Sequence, residues 1–118
     1  MLTVYTLATC DSCRKAVKWL KSQSIAFEER AIRETPPSAS ELRAALKAYD
    51  GVVRKLFNTA GRDYRDQNIA DKLPTLTPEA AVALLTQNGN LVKRPFVSGP
   101  GVALVGFDEA EWSAALRR

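Results

Sequence analysis

Thr6-Leu7-Ala8-Thr9-Cys10-Asp11-Ser12-Cys13-Arg14-Lys15 is the stretch whose reading decides the fold. It carries both cysteines of the chain, spaced C-x-x-C, where an apolar run gives way to a helical pattern. Such a pair serves either as a redox couple or as half of a zinc site, and the flanking segments discriminate. Upstream, Leu2-Thr3-Val4-Tyr5-Thr6-Leu7 is rich in β-branched and aromatic residues and predicts a first strand. Downstream, Cys13, Ala16, Val17 and Leu20 (with Trp19) recur at helical spacing, while Arg14, Lys15, Lys18 and Lys21 fall largely elsewhere. This predicts an amphipathic helix from Asp11 to about Gln23. Ile25 to Ile32 alternates loosely and predicts a second strand. The three pieces make a βαβ unit, whose crossover is right-handed and whose strands are parallel.

Beyond this unit, Thr35-Pro36-Pro37-Ser38 is a break, and Ser40 is expected to cap a helix over Glu41–Tyr49 that Asp50-Gly51 ends. Val52 to Ala60 predicts a short helix or irregular segment, and Tyr64 to Asp71 another short helix. Thr77 as cap and Pro78 at the first helical position start a helix that runs to Gln87 and stops at Asn88-Gly89-Asn90. Leu91 to Val97 reads as a third strand interrupted by Pro95, which belongs at a strand's start or on an edge. Ser98-Gly99-Pro100-Gly101 turns the chain into a fourth strand over Val102–Phe107, an antiparallel hairpin. Asp108 caps a last helix through Leu116. The order β-α-β, several helices, β-β-α predicts an α/β protein of thioredoxin-like fold with a four-stranded mixed sheet. One domain, residues 1–118, carries a helical insertion at about 38–88.

Composition bounds the function. The chain has 118 residues, 46% hydrophobic and 25% charged, enough for one buried core. Its net charge of +4 is spread from Arg14 to Arg118. That excess suits a small anionic substrate and is too mild to imply direct nucleic-acid binding. No apolar run approaches the roughly 18 residues of a membrane span. The N-terminus shows no secretory pattern, so a cytoplasmic location is expected. There is no histidine, which excludes His-based triads, Cys-His dyads and Cys2His2 sites. Two sulfurs alone fall short of the four ligands of structural zinc, so no metal is expected.

The chemistry fits the placement of the pair. The thiolate is the nucleophile, and a helix N-terminus offers partial positive charge and unpaired N–H groups that favour it. Arg14 and Lys15 add cations in the first turn. Cys10, just outside the helix, is the expected exposed nucleophile; Cys13, within the first turn, is the more buried sulfur, suited to resolving a mixed disulfide or a sulfenate. Asp11 either opposes the Cys10 thiolate or caps the helix. The plain alternative is a pair of small buried hydrophobic residues. Arg94-Pro95 is the second constellation: a proline opening the third strand of a thioredoxin-like fold sits, usually cis, against the cysteine pair. Arg94 would then face Cys10 and offer a planar fork for an oxyanion; otherwise it is a solvated cation at a strand end. Lys93 reads as plain surface.

Together, Tyr5 to Trp19 with its Cys10-Asp11-Ser12-Cys13-Arg14-Lys15-Ala16, Leu56-Phe57-Asn58-Thr59, Lys93-Arg94-Pro95-Phe96 and Val105-Gly106-Phe107 resemble the ArsC/Spx family. That family groups glutaredoxin-linked arsenate reductases, the Spx regulators and the YffB-like proteins. The resemblance implies a thioredoxin-like fold with an inserted helical subdomain. It implies one catalytic cysteine, matching Cys10, and three oxyanion-holding arginines, of which Arg94 matches one. Asn58 and Gly106 stand at the other two positions, which argues against arsenate reduction; Arg62 and Arg65 are candidates to substitute. Asn58-Thr59 and Gly106-Phe107 are more similar to the YffB-like group, implying a glutathione-linked thiol reductase. The Cys10/Cys13 pair is similar to that of Spx, implying a redox switch that controls binding to the C-terminal domain of the RNA polymerase α subunit. The helix Glu41–Tyr49, Gly51 and Arg54 would lie near that interface, although Gly51 also has a local explanation as a helix-terminating left-handed residue. The expected catalytic residues are Cys10, Cys13 and Arg94, with Arg14, Lys15, Asn58 and Pro95 binding an anion or thiol. Glutathione is the expected co-substrate, with no tightly bound cofactor. Expected partners of the monomer are glutathione or glutaredoxin and a small oxyanion or disulfide, or alternatively RNA polymerase α.

Overall fold

Strand β1 (Leu2–Thr6) runs through the middle of a four-stranded sheet in the computed structural model, which describes residues 1–117. It pairs in parallel with β2 (Phe27–Ala31) and antiparallel with β3 (Phe96–Gly99), and β3 pairs antiparallel with β4 (Val102–Val105). The spatial order is β2-β1-β3-β4. This mixed sheet with helices on both faces is the thioredoxin-like arrangement.

Alternation along the strands feeds two cores. Leu2 and Val4 of β1, Val97 of β3 and Leu104 of β4 pack on one face with Ala16, Trp19 and Leu20 of α1 (Asp11–Ser22) and Trp112 near the chain's end. Tyr5 and Phe96 turn to the other face, where they meet Leu42, Ala45 and Leu46 of α2 (Ala39–Ala48) and the helices that follow. Those are α3 (Arg62–Asp66), α4 (Ile69–Lys72) and α5 (Pro78–Gln87). The last helix, α6 (Glu109–Leu116), returns to the first face. There Trp112 is fully buried, stacks edge-on against Trp19 and Phe107, and donates its indole N–H to the Gly106 carbonyl at 3.0 Å.

Local differences from the sequence expectation each have a physical reason. Helix α2 is capped by Ser38, not Ser40: the Ser38 hydroxyl accepts the Glu41 N–H at 3.1 Å while the Glu41 carboxylate accepts the Ser38 N–H at 2.9 Å. This capping box needs a glutamate three residues after the cap, which only Ser38 has. The same carboxylate accepts the Tyr5 hydroxyl at 2.7 Å, tying the cap to β1. The segment Tyr64–Asp71 is two short helices, because Asn68 adopts a left-handed φ of 53° between them. The third strand begins at Phe96 rather than Leu91: Gly89–Leu91 is a 3₁₀ turn, and Val92 forms a single bridge with Phe57. Gly51 has φ +76°, and its N–H bonds the Leu46 carbonyl at 2.8 Å, a left-handed helix stop.

These contacts set the expected stabilities. Trp112→Ala should lower the urea unfolding free energy by about 3–5 kcal/mol, and Ser38→Ala by about 1 kcal/mol, with the m-value unchanged in both.

Candidate active site

The site grows out of the end of β1. The Leu7 carbonyl accepts the Cys10 N–H at 3.0 Å, which turns the chain, and Cys10 then becomes the N-cap of α1. Its backbone is extended (φ −87°, ψ 117°) and its sulfur accepts the Cys13 N–H at 3.2 Å. A cysteine therefore stands where a serine or aspartate usually caps, and the otherwise orphan Cys13 N–H points at its Sγ. Cys10 is half-buried and Cys13 is 2% exposed; both are free thiols. Burial pushes the Cys13 thiol up to about 12, reinforced by its hydrogen bond with Cys10 and the charge of Cys10. A backbone hydrogen bond at Leu7 and the positive charge of Arg94 pull the other way. Cys13 also lines a cavity of about 370 Å³ beside Leu7 and Val17.

Of the two cations of the first turn, Arg14 lines the cavity beside Cys13 and is paired with Asp11. Arg14 donates to Asp11 Oδ1 at 3.0 Å and to the Ala8 carbonyl at 3.4 Å, with its side chain 64% exposed. Asp11 is held below the usual carboxylate range by that hydrogen bond and by the charges of Lys15 and Arg14. Lys15 is exposed, and Asp11 does not cap the helix.

The strand register brings in the far end of the chain. Tyr5 lies opposite Phe96, so the residues just before Phe96 run alongside those just after Tyr5. The Arg94–Pro95 peptide bond is cis, Pro95 is buried, and its carbonyl accepts the Gly106 N–H at 2.9 Å. Arg94 is half-buried and within Coulombic reach of the Cys13 thiol. It lines one cleft with Ser12 and Gly106, and a second with Asn58 and two further arginines, Arg33 and Arg62. Asn58 is anchored by its N–H to the Leu91 carbonyl at 2.7 Å. Gly106 has φ +68°, and a Cβ there would come within 3.1 Å of Lys93 Cε. The backbone at this position thus disfavours any side chain, arginine included. Of the expected residues, the fold brings Arg94 within Coulombic reach of Cys13 and into one cleft with Ser12, places Asn58 beside Arg94, and leaves Arg14 lining the cavity beside Cys13 while Lys15 is exposed. Arg62 reaches the Arg94 cleft, whereas Arg65 contacts the Ala60 carbonyl at 3.5 Å. Arg33 and Asn90 carry no local pattern that marks them, because separate segments of the chain bring them to Arg94, and Ser12 reaches Arg94 from the first turn of α1.

A thiol of pKa about 12 is only about 10⁻⁴ ionised at pH 8. Brief iodoacetamide treatment of the native protein at pH 8 should therefore label Cys10 alone by mass spectrometry, and Cys10→Ser should remove the rapid labelling. The raised Cys13 value also links to stability: above the unfolded-state value near 9 the unfolded chain releases this proton while the folded one retains it up to about 12. The urea midpoint should fall more steeply between pH 9 and 11 in the native protein than in Cys13→Ala.

Comparison with known proteins agrees with this construction. A model of the ArsC family matches residues 5–115. The chain is 37% identical over 111 residues to the uncharacterized protein YusI of Bacillus subtilis, covering 94% of each chain. It is 34% identical over 112 residues to the global transcriptional regulator Spx of Enterococcus faecalis, covering 94% of this chain and 83% of that one. Among solved structures, an ArsC family related protein from Bacteroides fragilis superposes with a TM-score of 0.89 at 38% identity, covering 97% and 96% of the two chains. YffB (PA3664) superposes with a TM-score of 0.81 at 28% identity, covering 98% and 99%. With a cysteine-capped first helix, a cis-proline just before β3 and a family match across nearly its whole length, the chain belongs to the ArsC family.

Proposed function

We propose that the protein is a thiol-dependent oxidoreductase of the arsenate reductase-like type, linked to glutathione or glutaredoxin and working through the Cys10 thiolate. The observation that carries the reading is the asymmetry of the pair: a half-buried Cys10 sulfur at a helix cap, and a buried Cys13 thiol held protonated. Asn58 and Gly106 at two arginine positions favour a small disulfide over arsenate as substrate, since two bidentate oxyanion forks are absent there. In the proposed reaction the Cys10 thiolate attacks one sulfur of the disulfide. A new S–S bond forms, the old one breaks, and the departing thiolate takes a proton from solvent. A second thiol, Cys13 or glutathione, then attacks the Cys10 sulfur and releases the other half as a thiol, and glutathione reduces the Cys10 disulfide so formed, leaving glutathione disulfide and the free Cys10 thiol. Two thiols supply the two electrons, and the disulfide is reduced. The causes of the high Cys13 value bear on the second step: two of them come from Cys10 itself. Once Cys10 is bonded to another sulfur its negative charge is gone, and Cys13 becomes easier to ionise when it is needed.

A second reading, a redox-sensing regulator that binds the C-terminal domain of the RNA polymerase α subunit, is favoured by the similarity to Spx. It also fits the surface after α2. There Val52 is 44% exposed, and with Arg54, Lys55 and Tyr49 it lines a cleft of about 340 Å³. In that reading the Cys10–Cys13 disulfide is a signal rather than an intermediate.

The deciding assay supplies glutathione, glutaredoxin and either 2-hydroxyethyl disulfide or arsenate. The native protein should turn over the disulfide faster than arsenate. Cys10→Ser should abolish activity, and Cys13→Ser should leave a glutathione-dependent remainder. Absence of turnover with both substrates, together with oxidation-dependent capture of the polymerase α domain, would replace the enzyme reading with the regulator.

A further inference from the structure

Between α1 and the β2 edge of the sheet lies the cavity of about 370 Å³ that Cys13 lines. It sits on the β2 side of β1, whereas Arg94 and Pro95 precede β3 on the other side, and neither Cys10 nor Arg94 lines it. Leu7, Val17 and the buried Cys13 give it an apolar wall, and Ala8 is exposed at its mouth. Its volume falls within the roughly 300–1,000 Å³ of small-molecule sites.

A second wall is positive. Arg14, Lys18 and Lys21 stand at i, i+4 and i+7 of α1, and all three line the cavity. Like charges at such spacing weaken a helix unless something neutralises them. Arg14 is paired with Asp11, but among the described residues neither Lys18 nor Lys21 forms a salt bridge. The cavity's one carboxylate, Glu29, stands on the β2 wall, where its Oε2 accepts the buried Thr6 hydroxyl at 2.6 Å. Three cations against one anchored carboxylate leave the α1 wall positive beside an apolar one. An anion with a short apolar tail complements both walls; a cation or a purely polar anion matches at most one.

Leu7 connects this cavity to the cysteines. It lines the cavity, its carbonyl accepts the Cys10 N–H at 3.0 Å, and its backbone hydrogen-bonds the Cys13 sulfur. A molecule seated against Leu7 therefore covers the cavity side of Cys13 and braces the turn that carries Cys10. We propose that this cavity is an effector site for a medium-chain carboxylate, with its tail against Leu7 and Val17 and its head group on Lys18 and Lys21. Occupancy shields Cys13 and leaves Cys10 as the single reactive thiol. The site goes beyond the reductase reading and holds for either fate of the pair, because binding is read without turnover.

The test is calorimetric titration of the reduced full-length protein with octanoate, butyrate and octylamine. Octanoate should bind, and butyrate at least about tenfold more weakly, because the shorter tail buries fewer methylenes. Octylamine, with the same tail and the opposite charge, should not bind. The double variant Lys18→Gln/Lys21→Gln should weaken octanoate about tenfold through lost charge-assisted contacts. Ala8→Trp, which fills the mouth, should abolish binding, whereas Lys15→Gln and Arg94→Gln should leave the affinity unchanged. The three lysines and Ala8 are exposed, so folding is preserved and circular dichroism checks it. In Cys10→Ser, saturating octanoate should slow prolonged alkylation of Cys13 at pH 9 severalfold; an unchanged rate would overturn the shielding. No binding of octanoate up to about 10 mM, equal binding of octylamine, or an affinity within about twofold in the double lysine variant would overturn the site. A loss in Arg94→Gln equal to that in the lysine variant would place the anion in the other cleft and overturn it as well.

Discussion

Everything at the candidate site depends on β1 being paired along both edges and buried on both faces. Its backbone is bonded to β2 on one side and β3 on the other, while Val4 and Tyr5 enter opposite cores. A strand held this way cannot slip by one residue without exchanging its two faces. Its C-terminal end is therefore a rigid launching point. The chain leaves at Thr6, turns through the Leu7–Cys10 hydrogen bond and delivers the Cys10 sulfur to the first amides of α1. The same register that places Tyr5 against Phe96 carries Arg94 and Pro95 to that point from ninety residues away in sequence.

The aromatic core on the α1 face extends this control. Trp112 donates to the Gly106 carbonyl, and the Gly106 N–H bonds Pro95. The last helix is thus connected through two hydrogen bonds to the residue beside Arg94. Gly106 can stand between them because its left-handed backbone and the Lys93 side chain leave it nothing to gain from a side chain. On the other face Glu41 links the α2 cap to Tyr5, and the Tyr49 hydroxyl donates to Glu111 at 3.0 Å while accepting the Val105 N–H at 3.0 Å. The helical insertion is fastened to the sheet at both ends of α2. That fastening positions Asn58, Arg62 and Asn90 around Arg94.

The asymmetry of the two cysteines follows from helix geometry and packing together. The cap position gives one sulfur the Cys13 N–H; three residues on, the helix face turns inward and buries the other. Of the cations in the first turn, Arg14 is paired with Asp11. Arg94, which precedes β3, adds a smaller opposing effect at Cys13, where burial dominates.

Much of this was legible in the residues alone, because it rests on local rules. The βαβ unit, the cysteine-led helix, the Thr77-Pro78 start, the Asp108 cap and the terminal hairpin each depend on neighbours within a few positions. Ser38 was legible too, through Glu41, but two serines compete there and the reciprocal hydrogen bond decides between them. The break at Asn68 and the delayed start of β3 were not, since each depends on what the segment packs against. By itself the sequence determined that a cysteine stands at a helix start in this fold. Tertiary structure alone decided which arginines stand together: Arg33, Arg62 and Arg94 have no common spacing, and only the sheet register and the loops at Gly89 and Gly61 bring them into one cleft.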